Sequence, residues 1–128
     1  MSNVLITGAS RGIGAAAARL FAREGWDVAL NYNKSQMEAE ALAAELSGLG
    51  GKAVPVQADI SDPEQAARMV REAETALGGL DAVICNAGVA LPQQLLTDTT
   101  PEQWRSLMSV DLDGVFYTLR AAVPGLVR

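Results

Sequence analysis

Residues 3–14 read NVLITGASRGIG: a short apolar run, then a loop with three glycines between Thr7 and Gly14, and after it the alanine-rich stretch AAAARLFARE. A glycine-rich turn from a strand into a helix lets the backbone approach a ligand closely. It also aims free N–H groups and the positive end of the helix at an anion. Phosphate is the natural guest, and the candidates to receive it are Gly8, Ser10, Arg11, Gly12, Ile13 and Gly14. The loop has no lysine, so a triphosphate loop of the Walker type does not fit. The spacing of its glycines also differs from G-x-G-x-x-G.

Outward from this loop, β-rich runs alternate with longer helical ones, the signature of parallel βαβ construction. The first strand is read as Asn3 to Thr7 and the first helix as Gly12 to Glu24, closed by Gly25. Trp26 to Tyr32 is the second strand. Ser35 and Glu38 have capping-box spacing at the start of a second helix, which runs to the glycines at 48, 50 and 51. Strand three is KAVPVQ, residues 52–57, and its Pro55 lacks a ladder donor, which assigns the strand to a sheet edge. Asp62-Pro63 opens a helix through Leu77, and LDAVICN, residues 80–86, is the fourth strand. A last helix starts at Thr100-Pro101 and runs to about Val123, before Pro124-Gly125.

The expected architecture is α/β: a Rossmann-type parallel sheet in strand order 3-2-1-4, with helices on both faces. Residues 1–128 are expected to form a single dinucleotide-binding domain. A final helix ordinarily delivers the chain to another parallel strand, and only GLVR comes after Pro124, so the sheet is expected to stop before strand five.

Composition excludes several classes of function. The 128 residues carry a net charge of -5, against the broad basic surface that nucleic acid or an anionic membrane requires. No stretch approaches the roughly 18 apolar residues of a membrane span, and the N-terminus lacks a basic leader, so the chain reads as soluble and cytoplasmic. It has no histidine, which removes imidazole metal sites and Ser-His relays, and no metal site is expected. The lone cysteine, Cys85, reads as a buried strand residue.

Four segments in register resemble the short-chain dehydrogenase/reductase family in its ordinary form, with the flavour of the 3-oxoacyl-[acyl-carrier-protein] reductases. TGASRGIG is similar to that family's TGxxxGxG fingerprint. Ala58-Asp59-Ile60 resembles the segment whose aspartate meets the adenine ring. Asn86-Ala87-Gly88 resembles the element that steadies the central sheet and lines the cofactor cleft, and VDLDGVFYTLRA resembles the VNxxGxF stretch. The resemblance spans the chain but only the first half of a usual member. It implies a nicotinamide dinucleotide cofactor, held by the glycine loop with Asp59, Ile60, Asn86, Ala87 and Gly88, and in the full parent a small carbonyl substrate reduced by hydride.

Charge chooses between the two nicotinamide cofactors. An NAD site places an acid at the end of strand two, about 20 residues beyond the glycines, to grip the ribose hydroxyls. Here that end reads LNYNKS, with no acid between Asp27 and Glu38. Nothing repels a 2′-phosphate, and Arg11, Asn33, Lys34 and Ser35 are placed to receive one, so NADP(H) is favoured over NAD(H). In the family, a basic residue at the Arg11 position often accompanies NADP.

Periodicity of the last helix puts Trp104, Leu107, Met108, Val115 and Leu119 on one apolar face with Asp111 in its middle. A carboxylate there needs hydrogen-bond donors or a cleft. The resemblance places at this position an asparagine that helps organise a proton relay to a catalytic lysine, which makes Asp111 the catalytic candidate. An acceptor-only carboxylate cannot donate as the amide does.

The family's chemistry rests on a tyrosine followed four residues later by a lysine. Tyr32 is followed at that distance by Gln36 and Tyr117 by Ala121. The reading is the NADP(H)-binding part of a carbonyl reductase, inactive by itself and prone to form a homo-oligomer through its uncovered sheet edge. A non-catalytic nucleotide-binding or assembly module is the open alternative.

Overall fold

A computed structural model describes residues 2–127. Four parallel strands form one sheet: β1 (Asn3–Ile6), β2 (Asp27–Tyr32), β3 (Ala53–Gln57) and β4 (Ala82–Ile84), in the order β3-β2-β1-β4 that the sequence leads one to expect. Pro55 sits opposite Leu30 on β3, a strand paired on one side only, where its missing N–H breaks no ladder.

Helices α1 (Gly12–Arg23) and α2 (Gln36–Ser47) cover one face of the sheet, and α3 (Pro63–Leu77) covers the other. The alternation of β1 supplies both cores: Val4 and Ile6 join Val28, Leu30, Ala18 and Leu46, whereas Leu5 joins Val56, Met69, Val70 and Ala122. Ala15 and Ala18 are the buried alanines of α1, and their small side chains bring that helix close to the sheet.

Local chemistry sets the helix ends, with some departures from expectation. Asp62 caps α3 through its Oδ1, which accepts from Glu64 N at 2.9 Å, with Pro63 in the first turn. Ser35 stands at the start of α2, yet its hydroxyl makes no cap bond and the expected box with Glu38 does not form. Beyond a 3₁₀ turn at Leu96–Asp98, α4 (Pro101–Met108) opens with a complete capping box between Thr100 and Gln103.

The last helix is not one regular rod. A π turn at Ser109–Asp113 separates α4 from α5 (Gly114–Leu126). A π turn adds a residue to the helical repeat and so rotates the next stretch of helix by about 100°. The five apolar residues that a straight helix would align therefore do not form one buried face: Leu107, Met108 and Val115 are half-buried, while Trp104 and Leu119 are exposed. The helix also continues through Pro124, since a proline in the last turn forfeits only one hydrogen bond, to the carbonyl of exposed Arg120.

β4 is shorter than its sequence suggests and lies at an edge. Cys85, one residue past its end, is exposed rather than buried. Neighbouring atoms still shelter the sulfur enough to push its thiol up, the reverse of an activated nucleophile. Among the described residues, no helix is long and apolar enough to cross a membrane.

Candidate cofactor site

A cleft of about 450 Å³ opens at the carboxyl ends of the strands, where the strand order reverses between β1 and β4. This switch point is where open parallel sheets take their ligands. Its walls bring together eleven of the residues singled out from the sequence. Gly8, Ser10 and Arg11 come from the first loop, Asn33, Lys34 and Ser35 from the end of β2, Asp59 and Ile60 from beyond β3, and Asn86, Ala87 and Gly88 from beyond β4.

Gly12, Ile13, Gly14 and Asp111 are not among the cleft walls. Gly14 serves packing: a Cβ there would meet the Gly8 carbonyl oxygen at 2.5 Å and Asn86 Nδ2 at 2.6 Å. Gly12 has φ +62° and open space where a Cβ would point, so its backbone can be approached from outside. Ile13 is exposed at the helix start.

The loop after β4 is clamped to the glycine loop. Thr7 Oγ1 accepts from both Asn86 N and Ala87 N at 3.0 Å, while Asn86 Nδ2 donates to the carbonyls of Thr7 and Gly8. Beyond this clamp, none of the N–H groups from Ser10 to Gly14 has a hydrogen-bond partner among the described residues. These are the donors that a helix start offers an anion.

Electrostatics at the other end of the cleft suits an anion too. The ion pairs of the described residues are Arg19–Glu45 and Arg68–Glu72, so neither Arg11 nor Lys34 is neutralised by a carboxylate. The uncapped Ser35 hydroxyl lies beside them on the cleft wall. Asn33 is partly engaged, its carbonyl and Oδ1 accepting from Gln57 Nε2 at 3.2 and 3.3 Å. Asp59 uses Oδ1 to accept from Ser61 N and Oγ, which fixes the carboxylate and leaves Oδ2 open.

Asp111 corrects the expectation of a carboxylate on a buried apolar face. It is exposed, carried outward by the π turn, and its Oδ1 accepts from Val89 N at 2.8 Å. Asp111 thereby fastens the loop after β4 to the helix from just outside the cleft.

Two positioning groups escape a reading of the sequence. Thr7 reads as a strand end, although a β-branched hydroxyl ahead of a glycine loop and 1% exposed has few reasons to be polar. Asn31, inside the apolar run of β2, is 2% exposed and reaches the same loop. A polar residue interrupting a strand buried on both faces is the signal that marks it.

A sequence model described as short chain dehydrogenase matches residues 2–128. The chain belongs to that family. Among its relatives is a 3-oxoacyl-[acyl-carrier-protein] reductase FabG of Staphylococcus aureus strain Mu50, 35% identical over 126 residues, an overlap of 98% of this chain and 51% of that protein. A short chain dehydrogenase from Burkholderia cenocepacia J2315, solved in complex with NADP, superposes with a TM-score of 0.93 at 38% identity, covering 98% of this chain and 51% of that one. A blue fluorescent protein from a metagenomic library, in complex with NADPH, gives 0.92 at 35% identity, with coverage of 98% and 51%. The chain thus spans about half the length of the relatives it matches.

Proposed function

We propose that this chain is the NADP(H)-binding portion of a short-chain oxidoreductase that transfers hydride between NADPH and a ketone or alcohol, with 3-oxoacyl thioesters as the first substrates to test. One observation carries the reading: the cleft sets loop N–H groups that have no partner among the described residues beside two cations, Arg11 and Lys34, that pair with none of the described carboxylates, at a switch point of the sheet. The loop N–H groups would take the diphosphate, Arg11, Lys34 and Ser35 the 2′-phosphate, and Asp59 with Ile60 the adenine. The bound dinucleotide supplies the hydride.

The chain's own residues account for binding and orientation. Reduction of a ketone also needs an acid for the developing alkoxide, and no tyrosine in these residues is followed at four by a lysine. Asp111, tied to Val89 N, supports the cleft from behind and is no proton donor when ionised. The 128 residues by themselves are therefore expected to bind NADPH without turnover. A homo-oligomer is the expected state, through the β4 edge and the exposed apolar side chains of α4 and α5.

The test is a titration of NADPH fluorescence with the chain, followed by assay of ketone-dependent NADPH oxidation against a protein-free control. Saturable binding without oxidation is expected. Absence of binding at millimolar nucleotide, or robust turnover by the purified chain, contradicts the reading.

A further inference from the structure

Asn31 is a polar side chain at the carboxyl end of a strand whose neighbours are apolar, and it is 2% exposed. Its side-chain amide and its backbone carbonyl are both engaged, and together they tie two walls of the cleft to each other. Its Oδ1 accepts from Gly8 N at 3.1 Å, and its backbone carbonyl accepts from Ala9 N at 2.8 Å. Its Nδ2 faces the carbonyls of Val56 and Ala58, each at 3.3 Å, at the end of β3. Only this orientation of the amide satisfies both sides, because the reverse would set oxygen against two carbonyls and an N–H against an N–H.

These bonds constrain the glycine loop in two ways. The first two N–H groups after Thr7 are turned inward and consumed by one residue, so the donors left for a ligand begin at Ser10. Gly8, at φ +61°, is held in its left-handed conformation from the sheet side by Asn31 and from the β4 side by Ala87, whose Cα would lie 2.7 Å from a Cβ at Gly8.

We propose that Asn31 is a positioning residue for the cofactor. It sets which backbone donors of the glycine loop face the cleft, and it couples that loop to the Ala58-Asp59 segment on the far side. This rests on the nucleotide reading given above for the ligand, but not for the state of the loop, which exists without ligand. A side chain that merely fills space would affect the whole fold evenly. Asn31 affects the loop first, and through it the diphosphate end of the cofactor more than the 2′-phosphate end, where Lys34 and Ser35 come from the end of β2 and Arg11 alone from the loop.

The experiment compares wild type with Asn31→Leu, of similar volume but without polar atoms, and Asn31→Asp, which keeps the acceptor for Gly8 N. Backbone amide exchange is measured without ligand, and affinities for NADPH and for adenosine 2′-monophosphate are measured by calorimetry. In Asn31→Leu, exchange at Gly8 and Ala9 is expected to speed up about tenfold or more relative to Leu5 and Ile6. NADPH is expected to bind about tenfold more weakly, with adenosine 2′-monophosphate changed less than about threefold. Asn31→Asp is expected to keep the protection of Gly8 while weakening protection at the end of β3, where a carboxylate oxygen now opposes two carbonyls. Unchanged exchange at Gly8 in Asn31→Leu, or equal losses for the two ligands, overturns the proposal. Failure of wild type to bind either ligand would count against the nucleotide reading, and the exchange measurement would then decide the role of Asn31.

Discussion

Gly14 and Gly8 approach so closely that a Cβ on Gly14 would lie 2.5 Å from the Gly8 carbonyl oxygen. The first turn of α1 is thus packed directly onto the loop that precedes it, with the Asn86 amide at 2.6 Å on the same side. Gly14→Ala must move backbone, and a loss of about 1–3 kcal/mol is expected in urea melts. At Gly12 a Cβ would meet nothing, so Gly12→Ala should cost only the left-handed backbone term of about 1–2 kcal/mol while weakening NADPH binding by obstructing the approach.

Lys34 and Arg11 face the cleft without acidic partners among the described residues. Lys34→Glu should therefore abolish most of the cofactor discrimination: NADPH affinity falls by about tenfold or more, while NADH, lacking the 2′-phosphate, changes little. Discrimination by the unaltered chain should grow as pH rises through about 6, where a phosphate monoester gains its second charge. Paired calorimetric titrations at pH 5.5 and 7.5 read both effects.

For Asp111, the bond that matters is accepted by Oδ1, and an amide oxygen can still accept it, as a somewhat weaker neutral acceptor at an exposed position. Asp111→Asn should leave stability within about 0.5 kcal/mol of wild type, whereas Asp111→Ala, which removes the acceptor, should lose about 1 kcal/mol. Amide exchange at Val89 should rise in the alanine variant alone.

Thr118 has 0% exposure, and its Oγ1 has no hydrogen-bond partner among the described residues. Thr118→Val keeps the shape and removes a buried hydroxyl, so the expectation is unchanged or higher stability, by up to about 1 kcal/mol, in thermal melts.

How far such features can be read from sequence depends on whether their cause is local. The glycine loop, the Asp62-Pro63 cap and the edge position of Pro55 reflect the conformational limits of single residues, and they are enough to place the ligand loop after β1 and β3 at the margin of the sheet. Asn31 stands out as a polar residue in an apolar strand, but its role depends on Val56 and Ala58, far along the chain, and the local pattern does not disclose those partners. The π turn escapes a fixed helical period, and it removes the buried face that a regular helix would build around Asp111. Ser35 and Glu38 have the right spacing, but spacing does not decide whether a hydroxyl turns toward its own helix. Cys85 reads as core because its neighbours are apolar, yet it lies just past the end of β4, an edge strand paired to β1 alone.

Leu112, Phe116, Leu119 and Val123 recur along α5 and the turn before it at spacings of four, three and four, and all are exposed. A stripe with this period invites a second helix. Association that rises with concentration is expected in sedimentation velocity, and Phe116→Glu should shift the chain toward monomer.

The most direct measurement is the ratio of dissociation constants for NADPH and NADH, determined by calorimetry on the same preparation of the chain. An anion-seeking cleft with uncompensated Arg11 and Lys34 predicts saturable NADPH binding, tighter than NADH by about tenfold or more. Equal or tighter binding of NADH, or no binding of either, would contradict it.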